Sequence, residues 1–363
     1  MGVWRRSAAL LCATALLAGG TVACSAAEQV STAWKVKHAV DKLGARQSVS
    51  MTARLDATPE QIHRYLQEGR GTGRGPRARE NAQLLADLEL AVSVSADKPL
   101  RELTDSDRAD SAAAVNFGGL DVFGLKSVDK KLYLRTNPAA LAQELGERGS
   151  LLGRVADLDR LTATLPPSLA TAKSALSGDW VRVNPNEFGE FSEALGGRAG
   201  AGTDRAADST AVLRSATLQQ RLVTAVEDAL GRHATFRAAG HHDGAEHVTL
   251  RLPAREVGRQ LAAALQPVRA QLGDLDLSVL ERAPDRTVEM DLAIRHETLS
   301  TLTVDVGQFD DGRTGRLPLQ LTFAAGEAVS VAAPTGAGKL SPDDLLAALA
   351  YVSVRDPELS NRL

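Results

Sequence analysis

The sequence predicts an α+β protein in which an antiparallel β-sheet is combined with interleaved helices. Three observations predict it. Several stretches alternate apolar and polar residues with a period of two, amphipathic helical stretches fall between them, and links such as FDDGRTG at 309–315 are short and rich in turn residues. Period-two alternation marks strands with one buried face. Strands that leave their other face to water pair antiparallel.

The first two dozen residues, MGVWRRSAALLCATALLAGGTVAC, read as a secretory signal. Arg5 and Arg6 make a basic start, Ser7 to Ala18 an apolar run, and Gly19-Gly20 a break before Thr21-Val22-Ala23-Cys24. The apolar run is too short to cross a bilayer. Small residues closed by a cysteine resemble the lipobox of bacterial lipoproteins, with Thr21 standing where leucine is usual. In that family the cysteine receives a diacylglycerol and becomes the new N-terminus, so the resemblance implies a lipoprotein signal peptide over 1–23 and lipidation at Cys24. Cysteine usage agrees, because the only other cysteine, Cys12, lies in the part removed. The mature chain then has no internal disulfide, in a compartment that would permit one. Two or more acyl chains, at about 0.8 kcal/mol per buried CH₂, hold a protein stably on a membrane. Residues 24–45 are then expected to be a tether.

Composition narrows the partners. The chain carries 42 basic and 45 acidic side chains; loss of residues 1–23 removes two arginines and no acid, leaving 40 against 45, a net charge of −5. Mild acidity argues against nucleic acid. Aromatics are only 4% of residues, so the core is built of Leu, Val and Ala. Abundant Ala, Arg and Gly beside few Lys fit a high-GC bacterium.

Strands are expected in chain order at Ser48–Leu55, in LELAVSVSA (88–96), at Lys131–Arg135 and Val248–Leu252, in TVEMDLAIR (287–295), and at Leu302–Val306 and Leu317–Phe323. In LELAVSVSA, Leu88, Leu90, Val92 and Val94 share one face, with Glu89, Ser93 and Ser95 opposite. Thr58 with Gln61 and Pro59 signals a helix start. Val257, Leu261, Leu265, Val268 and Leu272 form one helical stripe, bent at Pro267, and Leu218, Leu222, Val226 and Leu230 form another. Segments 68–80 and 196–210, rich in Gly and charge, are expected to be mobile loops.

The element order reads as two passes of strand, helix, four strands, helix, dividing the body into 46–210 and 211–363. A local echo is clearer: LYLRTNPAALAQEL (132–145) and WVRVNPNEFGEFSEAL (180–195) each run strand, Asn-Pro, helix. DKKLYLR, GDWVRVNP and the closing AVSVAAPTGAGKLSPDDLLAAL resemble the actinobacterial lipid-carrier lipoproteins of the LppX/LprG type, which are similar in shape to the LolA-like half-barrels. The resemblance implies a curved sheet whose concave apolar face, roofed by helices on that one side, holds acyl chains.

Four motifs invite chemistry. Pro334-Thr335-Gly336-Ala337-Gly338-Lys339 imitates a phosphate-binding loop, but Ala333 replaces its first glycine and Leu340 its Mg²⁺-binding hydroxyl. Pro342 further places the helix start at Ser341, too late to aim amide groups at a phosphate. The segment is expected instead to leave a strand at Ala328–Ala332 and enter a helix capped by Ser341. His241, His242, Asp243 and His247 are candidate metal ligands, yet they sit around an Asp-Gly hairpin turn where polar residues collect without a metal. Arg70, Arg74, Arg77 and Arg79 suit anionic headgroups as well as water. The acid pairs Asp310-Asp311 and Asp343-Asp344 read as turn and helix-start residues. No hydrolase elbow, zinc-protease motif or mature nucleophilic cysteine beyond Cys24 is present, so catalytic residues, metals, nucleotide and other cofactors are not expected.

The sequence therefore reads as a non-enzymatic lipoprotein, held on the extracytoplasmic face of the cell membrane through Cys24, that binds a lipid or other apolar ligand for transport or envelope assembly. The second reading is an interaction or sensory lipoprotein whose loops dock an envelope protein.

Overall fold

The structure is a computed structural model that describes residues 22–68, 78–104, 107–137, 139–140, 160, 162–188, 228, 231–266, 277–310 and 315–355. The expected loop at 196–210, the stripe from Leu218 and Pro267 lie outside the described residues, as does 69–77 of the first expected loop.

Two antiparallel meanders build the sheet. The first contains β1 (Ser48–Leu55), β2 (Leu88–Ala96), β3 (Ala109–Phe117), β4 (Leu120–Val128), β5 (Lys131–Thr136) and β6 (Val181–Val183). The second contains β7 (Thr235–His242), β8 (Ala245–Pro253), β9 (Thr287–Arg295), β10 (Thr298–Asp305) and β11 (Pro318–Ala325). A two-residue strand, β12 (Lys339–Leu340), completes it. Among the described residues these form one open, curved sheet in the order β12-β6-β5-β4-β3-β2-β1-β11-β10-β9-β8-β7. All neighbours are antiparallel except β12 beside β6. The first and last long strands, β1 and β11, pair in the middle, so the sheet is continuous across both passes.

Tight turns set the register of both meanders. Asp129-Lys130, Asp243-Gly244 and His296-Glu297 all have positive φ at both positions, as a two-residue hairpin that follows the strand twist requires.

Among the described residues the helices are α1 (Val22–Gly44), α2 (Pro59–Glu68), α3 (Ala78–Asp87), α4 (Ala170–Leu176), α5 (Ala254–Leu265), α6 (Ser278–Glu281) and α7 (Pro342–Arg355). The Thr58 signal works as expected: its amide donates to Gln61 Oε1 (2.8 Å) and the Gln61 amide donates to Thr58 Oγ1 (3.3 Å). Ser341 and Asp344 form the same reciprocal cap at the start of α7. At the strand–Asn-Pro echo, Asn137 accepts from the Ala140 amide and Asn184 from the Asn186 amide, while most of each expected helix lies outside the described residues.

Two expectations are corrected. Residues 24–44 of the segment expected as a tether lie in α1, where Thr32, Val36, Ala39 and Leu43 recur at helical spacing and are buried. Val36 and Ala39 pack on Val248, Leu250, Leu292, Ile294 and Leu299. Residues 328–332 form no strand. The second pass has β9, β10 and β11 where four strands were expected, and then the chain leaves the ladder. It must travel from β11 to β12, seven strand spacings or about 34 Å. Residues 326–338 do this as a strap, and at about 3.3 Å per residue thirteen residues reach roughly 43 Å, enough for a nearly extended crossing.

Candidate functional site

The ladder register shows that one face of the sheet is apolar from strand to strand. One row of partners runs Val248, Leu292, Leu302, Leu321, Ala53, Leu90, Val115, Phe123 from β8 to β4. A parallel row runs Phe323, Met51, Val92, Ala113, Leu125, Leu134, Val181 from β11 to β6. Alternation within each strand puts small or polar residues on the other face, where Ser50, Ser93, Ala112, Lys126 and Tyr133 form one row.

Helices cover the apolar face at both ends. Over β8–β10 it lies under α1 and under Val257 of α5. Over β5, β6 and β12, Leu134, Val181 and Leu340 pack with Leu165, Ala172 and Leu176 near and within α4, and with Leu345, Ala348 and Tyr351 of α7. Near Leu55, Ile62 and Tyr65 of α2 and Ala82 and Leu85 of α3 close one end. Between these walls β11, β1, β2, β3 and β4 form a trough, four spacings or about 19 Å across. Its floor is only half-buried, and Leu90 remains 44% exposed. Leu90 thus forgoes part of the ~1.5–3 kcal/mol that full burial of a leucine supplies.

The opposite face is the sealed one at the middle of β1, β2 and β3. Ser93 is 0% exposed, Ala112 2% and Ser50 4%. The strap lies over them: the Val329 amide donates to Ser93 Oγ (2.9 Å), Lys126 Nζ donates to the Ala332 carbonyl (3.3 Å), and Val331 is buried. Small side chains let the strap approach. Gly124 does the same for Trp180, because a Cβ there would stand 2.6 Å from the indole ring. Lys126 Nζ sits 4.8 Å from the centre of that ring, and burial lowers its pKa against the pull of Glu327 and Asp121. An apolar alternation was expected to mark the buried face. On β2 the burial is inverted, since the strap covers the serine side.

Two clefts are lined mainly by polar and charged residues. One of about 560 Å³ lies beside Asp56, Glu289, Asp291, Asp305 and Arg316. The other, about 450 Å³, lies between Lys130, Lys131, Arg182, Glu187 and Lys339 at the β5–β6–β12 end. There Lys339 Nζ donates to Glu187 (2.6 Å), which with Asn184 holds the Glu187 carboxyl below its ordinary pKa.

Cys24 lies in the third position of α1. The phosphate-loop look-alike spans the end of the strap and the first residue of β12, and α7 begins only at Pro342. His241, His242 and Asp243 line the β7–β8 turn. The His242 and His247 rings meet edge to face with centroids 3.5 Å apart, and His247 Nδ1 lies 2.8 Å from Asp291 Oδ2. Among the described residues no three such groups converge as a metal site. Arg79 is in α3, whereas Arg70, Arg74 and Arg77 lie outside the described residues. Asp343 and Asp344 occupy the first turn of α7, and Asp310 ends a 3₁₀ turn. Among the described residues no helix is long and apolar enough to cross a membrane.

From the sequence, Leu90 and Val92 share one face of an expected strand and Phe323 ends another, but Phe123 carries no such signal. The usable signal was the run of small residues at alternate positions, Ala91, Ser93, Ala112, Ala114 and Gly124, which marks a face prepared for close backbone approach.

No protein-family model and no curated protein matches the chain. Its structural neighbours include two lipoproteins. One is LppX of Mycobacterium tuberculosis, at 10% identity and a TM-score of 0.34, covering 84% of this chain and 99% of that one. The other is LprF from Mycobacterium bovis, at 12% identity and a TM-score of 0.34, covering 85% of this chain and 99% of that one.

Proposed function

We propose that the protein is an extracytoplasmic lipoprotein, anchored through acylated Cys24, that carries a lipid or other apolar ligand in the trough over β11, β1, β2, β3 and β4. One observation carries this reading. A continuous apolar face is walled by helices on both sides yet left half-exposed at its centre, while the small-residue face behind it is sealed. Burying an apolar ligand there recovers about 25 cal/mol for each Å² taken from water, without new polar partners. The protein acts as a carrier and not as a catalyst.

Native mass spectrometry of the Cys24→Ser chain, with uptake of a fluorescent fatty acid, tests it. Co-purified lipid and probe uptake are expected, and Val92→Asp on the trough floor abolishes both while the chain stays folded by circular dichroism. A chain that neither retains lipid nor takes up probe refutes the carrier reading and leaves the face to an envelope protein partner.

A further inference from the structure

We infer that the outward face of α1, at Val30 and Trp34, seats in the interfacial layer of the bilayer and turns the trough toward the membrane. The inference adds a surface to the proposed function and rests on that reading for the acyl chains at Cys24.

The inward stripe of α1 is fully used. Val36, Ala39 and Leu43 are buried, and Lys35 and Lys42 tie the helix flanks to Glu246 and Glu297 of the β7–β8 and β9–β10 hairpins. The opposite face exposes Val30 by 66% and Trp34 by 64%, one helical turn apart. The Trp34 ring stacks on His38 with centroids 5.3 Å apart and planes 7° from parallel, so the indole is held outward in a fixed pose. An exposed, ordered tryptophan beside a valine suits the membrane interface, where an apolar ring with one polar N–H is favoured.

The partner follows from position along the helix. Cys24 is six residues from Val30 and ten from Trp34 on the same α-helix, or about 9 Å and 15 Å along its axis. The headgroup layer on each side of a bilayer is roughly 5–8 Å deep. With the acyl chains of Cys24 in the hydrocarbon, Trp34 stays within that layer when α1 lies within roughly 30° of the membrane plane. Lys37 on this face is already paired with Asp41 (2.8 Å), so contact does not depend on anionic lipid. Because α1 lies on the apolar face of the sheet, a membrane against its outer side faces the trough. A ligand then leaves the bilayer without crossing bulk water.

The test uses the full chain extracted from membranes and reconstituted in phosphatidylcholine vesicles containing spin-labelled lipid with the nitroxide near the headgroup. Trp34→Phe is the control, and intact mass reports acylation of Cys24. The label is expected to quench wild-type tryptophan emission more than that of Trp34→Phe, at low and at high salt alike. Equal quenching in the two overturns the seat, whatever mass Cys24 carries. Quenching that depends on Trp34 while Cys24 is unmodified supports the seat and refutes the acyl anchor alone.

Discussion

The Val329 amide donates a 2.9 Å hydrogen bond to the Ser93 hydroxyl and so fastens the strap to the middle of β2. Ser93 is wholly buried, and a strand whose apolar residues form a continuous row on one side is sealed on the other. Ser93→Val leaves the strap amide without its acceptor, which costs about 1–3 kcal/mol. Urea denaturation of the variant is expected to show that loss.

The two regions of the apolar face should differ in what a truncation costs. Leu292 is 3% exposed under α1, so Leu292→Ala is expected to cost about 2–5 kcal/mol. Leu90→Ala, at a site 44% exposed, should cost no more than about 1 kcal/mol. Paired denaturant titrations check the contrast, and similar costs would mean that the trough is filled by the protein itself.

Trp180 depends on the absence of a side chain at Gly124. Gly124→Ala places a methyl 2.6 Å from the ring, and such overpacking typically costs about 1–3 kcal/mol. A lowered melting temperature with a shifted tryptophan emission maximum is the expected signature.

Lys126 should make stability rise with pH on the alkaline side. Burial lowers its pKa in the fold below the ordinary 10.5. Between the folded and unfolded values the unfolded chain binds more protons, so Lys126 withholds stability at neutral pH and returns it as pH approaches 10.5. The stability of Lys126→Met minus that of the native chain is therefore expected to fall as pH is raised from neutral toward 10.5, as read by thermal melts across that range.

Asp107 should act on the acid side. Its carboxyl is lowered to about 2 from 3.8, first by the hydrogen bond from Lys98 and then by those from Thr104. Its folded pKa is depressed, so its contribution is present above 3.8 and lost as pH falls through about 2. Asp107→Asn should lack that part of the acid loss, and melts between these two pH values will show whether it does.

The sequence by itself determined the local structure. The alternation in β1, β2 and β9 matches the observed strands residue for residue, and Thr58, Ser341 and the Asp-Gly turn act as their chemistry dictates, because period, caps and turn dihedrals are satisfied by neighbours a few residues away. Alternation also sorted Leu90 from Ser93. It could not say which of them meets water, since either face can be covered by a segment distant in the chain. Only the tertiary structure decided that. Pairing β1 with β11 sends the chain across β1–β6 to reach β12, and that crossing buries Ser93 behind Val329 and leaves Leu90 in the trough. It likewise turned the expected tether at 24–45 into α1, whose weak stripe of Thr32, Val36, Ala39 and Leu43 is stabilised as a helix by the sheet beneath it.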